Sequence, residues 1–252
     1  SLGLIESSDY VAFISKTAYF AKAYAKINNL IVSRNAKDYL YLIVNNDYGF
    51  TLQPAVLLAA IKYGDSDEIV FEKIKIVSKY LTKVLSWRVW NHWMISQSSL
   101  EAPIYDLCKQ IRNMSIDELT NIFMGDPIDL PELANAPTLN QQNRSRLKVL
   151  IALITEIVAK ESNNPDYMLN KKDIEVEHIW ANHFNQHTDE FPDETEFATI
   201  RNNIGDLLVL PKSFNSSFGD LPYEQKVEQY FEQNILAQTL NEKKYKNNPE
   251  FL

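Results

Sequence analysis

The sequence predicts a mainly α protein, with a helical bundle over residues 1–165 and a small ββα unit with C-terminal helices over residues 166–252. Three observations carry that prediction. Apolar residues recur at steps of three and four through the first 160 residues. Only six glycines occur among 252 residues, which weighs against a turn-rich all-β fold. Two short strand-like runs, Ile174–Ile179 and Leu207–Leu210, follow a change of character after Lys172.

The elements can be justified in order. Residues 9–28 place Val11, Ile14, Ala18, Ala21 and Ala25 on one helical face, with Ser7 or Ser8 as the expected cap. Residues 36–45 form a shorter helix. Pro54 suits the first turn of a helix through Tyr63, and Gly64 suits its end. Ser66 should cap a long helix reaching Trp90. Ser115-Ile-Asp-Glu118 spells a capping box, whose helix should stop near Gly125. Residues 126–143, with Asp-Pro, Leu-Pro and Ala-Pro pairs, read as an irregular connection. Residues 145–160 return to a strongly apolar helix, and Asn163-Asn164-Pro165-Asp166 marks a turn and the expected domain boundary. After the boundary come a strand, a long polar connection, a second strand stopped by Pro211, a loop, and a helix opened by Pro222.

Composition narrows the function classes. Hydrophobic residues at 45% and charged residues at 23% are ordinary for a globular chain. No apolar run reaches the ~18 residues of a membrane span, and no secretory signal is visible. The single Cys108 excludes an intrachain disulfide and a cysteine zinc cluster, and a reducing cytoplasm is the expected setting. Residues 173–252 hold 15 acidic and 6 basic residues, whereas residues 1–172 hold 18 and 19. A stand-alone nucleic-acid binder is usually basic. Any action on nucleic acid here therefore needs a metal, a local basic patch or another polypeptide segment to offset repulsion.

The chemistry-bearing residues cluster late in the chain. Glu177-His178 is followed by Asn202-Asn203 and Asn215, and three of the four histidines (His178, His183, His187) fall within ten residues. A histidine accepts a proton near neutral pH. A hard cation such as Mg²⁺ takes oxygen ligands and retains several waters, so two protein oxygens suffice. Glu177 and Asn215 can supply them. Neighbouring strand residues point to opposite faces, so a Glu-His pair can separate a ligand from a base.

These residues carry a family resemblance. E-H-I, then R-N-N-I-G-D-L-L-V-L, then N-S-S-F-G-D-L-P-Y-E-Q-K resembles the C-terminal nuclease domain of GmrSD-type modification-dependent restriction endonucleases, within the HNH or His-Me finger class. Q-N-I-L-A-Q-T-L at 233–240 and Y-K-N-N-P-E-F at 245–251 extend it. The resemblance implies a ββα-metal unit with His178 as general base, Glu177 and Asn215 as ligands to Mg²⁺ or Mn²⁺, Asn202 holding the site's loop, and Lys226 touching phosphate. It implies DNA as substrate, specifically modified phage DNA in anti-phage defence. It also implies an N-terminal ParB-like nucleotide-dependent domain, of which this chain shows no segment, so the chain reads as the C-terminal part of a larger protein. Two departures stand out. Ala181 replaces a common proline, and Asp206 replaces an asparagine after the glycine.

Plainer readings stand beside these. A Glu-His pair alone is commonly surface chemistry, and Asn202, Asn203 and Asn215 singly read as turn residues. His183 and His187 with His178 could bind zinc. Trp87, Trp90 and Trp93, at helical spacing, could stack on bases but more commonly pack. Arg144, Arg146 and Lys148 could meet phosphate or form a solvated helix start. The competing function is a helical interaction or regulatory module carrying an inactive nuclease remnant.

Overall fold

A computed structural model describes residues 4–130, 132–163, 169, 173–218 and 221–240. The chain divides into two compact units, residues 1–87 with 94–132 and residues 88–93 with 133–252. The division falls at 132/133, and the boundary expected at 165 lies outside the described residues.

The first unit is helical. It holds α1 (Ser7–Ser33), α2 (Ala36–Asp47), α3 (Gln53–Ala60), most of α4 (Asp67–Trp90), α5 (Gln97–Gln110) and α6 (Ile116–Met124). Leu42, Ile43, Val56, Leu57, Ile74, Val77 and Leu81 are buried. A polar latch crosses this core: Asn45 donates to the Ser78 carbonyl at 2.9 Å and accepts from Thr82 at 2.7 Å. The capping box holds, since Ser115 and Glu118 exchange side-chain-to-backbone bonds at 3.3 and 2.7 Å. Two expectations need correction. Helix α1 starts from Glu6, whose backbone N–H donates to Asp9 at 2.9 Å, so the cap is not Ser7 or Ser8. Helix α3 ends at Ala60, because extended Ile61 is buried and the Lys62 N–H turns to the Asp65 carboxylate at 2.8 Å.

The second unit is built on α7 (Arg144–Glu161), which is buried on nearly every face through Leu147, Leu150, Ile151, Leu153, Thr155 and Ala159. A helix apolar all round must lie inside its unit. Strands β1 (Ile174–His178) and β2 (Leu207–Pro211) pair antiparallel, with Val176 opposite Val209 and His178 opposite Leu207. A two-stranded sheet is marginal alone. Helix α7 packs against β2, while α10 (Tyr223–Tyr230) and α11 (Ile235–Gln238) contribute Tyr223, Val227, Tyr230 and Ala237 to a core with Leu208 and Leu210.

Two helices were not expected from the sequence. Helix α8 (Glu194–Arg201) interrupts the polar connection, capped by Asp193, which accepts from the Thr195 and Glu196 amides. Helix α9 (Lys212–Phe218) follows β2 directly in place of a loop and rests on both strands. An aromatic cluster seats α8: Phe197, 1% exposed, stacks on His187 at 5.0 Å and on Trp180 at 6.1 Å. Replacing Phe197 with alanine should cost about 3–5 kcal/mol. Urea denaturation followed by tryptophan fluorescence would measure it, and a loss under ~1 kcal/mol would contradict this packing role.

Candidate active site

Strand β1 presents Glu175 and Glu177 on one face and Val176 and His178 on the other, as strand alternation requires. The two faces are held differently.

On the His178 face, Nε2 lies 3.0 Å from Asn202 Oδ1. The Asn202 amide nitrogen donates to the Ala198 carbonyl at 2.7 Å. That second bond sets the amide so that its oxygen faces the ring. His178 must then carry its proton on Nε2 and donate it to Asn202, leaving Nδ1 with a lone pair. Burial, followed by the Arg201 charge, pushes the imidazole down to about 4; Arg144 and Lys226 act in the same sense, and the Asn202 bond opposes them. The ring is therefore neutral and able to accept a proton at physiological pH. Asn202 holds the loop as well as the ring, since its backbone carbonyl accepts from Leu139 N–H at 2.7 Å.

On the opposite face, Glu177 is 5% exposed. Its Oε1 accepts from Lys226 Nζ at 2.7 Å and from Tyr230 OH at 3.0 Å. Lys226 also donates to the His178 carbonyl at 2.9 Å. At 1% exposure its amine is an internal countercharge rather than a phosphate contact, which corrects the role expected from the sequence. Tyr230 is raised well above the ordinary phenol range by burial and by the Glu177 charge.

Asn215 lies on α9, but its amide nitrogen donates to Glu175 Oε2 at 3.1 Å. Lys212 Nζ stands 3.8 Å from the other Glu175 oxygen. The expected pair of Glu177 and Asn215 thus has no hydrogen bond between its members, and Glu175 is the carboxylate beside Asn215. Sequence reasoning passed over Glu175, although it sits two residues before Glu177 in E-V-E-H. Tyr230 was also missed, since a tyrosine 53 residues away gives no spacing signal. Among the described residues, no three His, Cys, Asp or Glu side chains converge as a metal-holding group. His187 bonds Glu190 at 2.9 Å and stacks on Trp180 at 4.9 Å, so packing accounts for it.

Asp206, at the head of β2, is wholly buried, and neither carboxylate oxygen has a hydrogen bond of ordinary geometry. Burial pushes it up to about 8, against the downward pull of the Trp180 amide and the Arg201 and Lys226 charges; Glu177 pushes it further up.

The site thus consists of a tautomer-fixed histidine on one face of a two-stranded sheet and paired carboxylates beside an amide on the other, within a mainly helical chain. Residues 130–249 match the family described as GmrSD restriction endonucleases, C-terminal domain. No curated protein and no solved structure matches the chain.

Two measurements follow from this geometry. Lys226→Met should cost about 3–5 kcal/mol by stranding the Glu177 charge, whereas Tyr230→Phe should cost about 1 kcal/mol. Equal, small losses in chemical denaturation would refute the buried pair. Folded Asp206 keeps a proton that the unfolded chain releases above the ordinary carboxylate range, so its contribution to stability declines as pH rises from about 4 to about 8. Asp206→Asn should raise stability at pH 8 by on the order of 2 kcal/mol, with the gap closing toward pH 4. A gap independent of pH in thermal melts would exclude this protonation.

Proposed function

We propose that the domain at residues 130–249 is a metal-dependent DNA endonuclease of the HNH type, with β1, β2 and α9 as its ββα unit. The observation that carries the reading is the Asn202–His178 bond, which leaves Nδ1 as a proton acceptor on a domain of a restriction-nuclease family.

His178 Nδ1 takes a proton from water as the water oxygen bonds to phosphorus, in line with the departing 3′ oxygen. The P–O3′ bond breaks and the 3′ oxygen acquires a proton, giving 5′-phosphate and 3′-hydroxyl ends. Asn202 keeps the ring in the required tautomer throughout. Lys226 anchors the main chain of His178 through its carbonyl.

The donors on the other face suit a hard divalent cation, because Glu175, Glu177 and Asn215 offer oxygen atoms only. Asn215 Oδ1 is left over when its nitrogen serves Glu175, and Glu177 Oε2 is left over when Oε1 serves Lys226 and Tyr230. Mg²⁺ or Mn²⁺ held by Asn215 with these carboxylates would supply positive charge to the phosphate and the leaving oxygen. Modified phage DNA as substrate, anti-phage defence as role and a ParB-like nucleotide-dependent domain as partner follow from the family resemblance. A second reading, a regulatory module with an inactive nuclease remnant, draws on the occupation of Glu177 Oε1 by Lys226 and Tyr230.

His178→Ala should abolish Mn²⁺-dependent cleavage of phage DNA with the fold retained by circular dichroism. Full activity in that variant would sink the endonuclease reading. Calorimetric Mn²⁺ titration of Glu175→Gln, Glu177→Gln and Asn215→Ala should show at least tenfold weaker binding for Asn215→Ala and for one or both carboxylate variants. Wild-type affinity in all three would remove the metal assignment.

A further inference from the structure

The segment leading into α7 is pinned beside the His178 face. Thr138 forms a β-bridge with Asn203, and the Ile204 N–H donates to the Pro137 carbonyl at 3.0 Å. The Asn143 side chain donates back to the Thr138 carbonyl at 2.8 Å. Asn143 directly precedes Arg144, the first residue of α7. The main chain of Arg144 is thus held two bonded steps from Asn203, the neighbour of the Asn202 that holds the His178 ring.

The neighbouring cations are committed elsewhere. Lys226 is buried on Glu177, Lys148 donates to the Ile174 carbonyl at 3.2 Å, and Arg201 Nε donates to the Trp180 carbonyl at 3.0 Å. Arg144 is exposed, and among the described residues its guanidinium has no hydrogen bond or ion pair. Its charge nonetheless bears on the His178 ring, as does that of Arg201. A guanidinium left without an anion, on a segment bonded to the asparagine pair at the histidine, is completed by a planar oxyanion such as a phosphodiester, which it can meet with two parallel N–H bonds.

We infer that Arg144 is a substrate-positioning residue that binds a DNA backbone phosphate next to the one His178 acts on. This rests on the endonuclease reading for the position of the substrate. The contact gives an acidic chain a local cation where strand entry requires one, and it carries no base information.

The test is the salt dependence of duplex binding, read by fluorescence anisotropy of a labelled phage-derived duplex in chelator, so that cleavage plays no part. Arg144→Gln should weaken binding about tenfold and lower the slope of log affinity against log salt by about one, uniformly across sequences. Arg144→Lys should restore the slope. Lys160→Gln, an equal charge change in the last turn of the same helix, should leave both nearly as in wild type. An unchanged slope in Arg144→Gln, an equal loss in Lys160→Gln, or no duplex binding by wild type would each overturn the proposal. The endonuclease reading is judged separately by His178→Ala cleavage: inactive His178→Ala with an unaltered Arg144→Gln slope would refute only the phosphate contact.

Discussion

The second unit is organised around one buried ion pair, Lys226 with Glu177. Taking both charges out of water costs several kcal/mol each, and their attraction offsets this only with good geometry and further hydrogen bonds. Here both conditions are met. The carboxylate accepts from Lys226 at 2.7 Å and Tyr230 at 3.0 Å, and the ammonium has a second acceptor in the His178 carbonyl at 2.9 Å. The pair joins α10 to the last residues of β1. A helix that could otherwise slide over Leu208 and Leu210 is thereby fixed in register with the residue that carries the histidine. Apolar packing alone is non-directional and would not select that register.

The other face of the sheet uses neutral groups for the same purpose. Asn202 spends its amide nitrogen on Ala198, its amide oxygen on His178 and its carbonyl on Leu139. One asparagine at the end of α8 therefore ties together a helix, a strand end and the segment before α7. The aromatic cluster of Trp180, His187 and Phe197 seats α8 so that this residue arrives in place. The histidine is thus fixed twice, its backbone by a charge on one face and its ring by an amide on the other. A ring held in one tautomer and one orientation needs no reorganisation before it accepts a proton.

The sequence showed the local signals well and the long-range ones poorly. The Ser115–Glu118 box, Pro54, Ser66 and both strands follow from residues near one another in the chain. Helix α8 was equally legible, because Asp193 three residues before Glu196 is a start signal, but the polar run hid it. Helix α9 was obscured by Pro211, which ends the strand and leaves the next backbone free to turn into a helix at Lys212. The pairings within the site were not legible. Whether Lys226 faces phosphate or Glu177, and whether Asn215 meets Glu177 or Glu175, depends on how α9 and α10 cross the strands. Strand alternation puts both glutamates on one face and cannot choose between them.

The acidic composition becomes less of an obstacle once its charges are located. Glu177 is neutralised by Lys226, Asp193 caps α8, Glu190 meets His187, and buried Asp206 holds its proton up to about 8. These carboxylates present less negative charge to a ligand than their count suggests. At the His178 ring the balance differs, because Arg201 and Arg144 bear on it with positive charge. A chain with a formal charge of −8 can therefore still set cationic side chains around a single imidazole. For a phosphate within contact distance the local field outweighs the distant net charge, since charges beyond a Debye length of ~8 Å are screened at physiological salt.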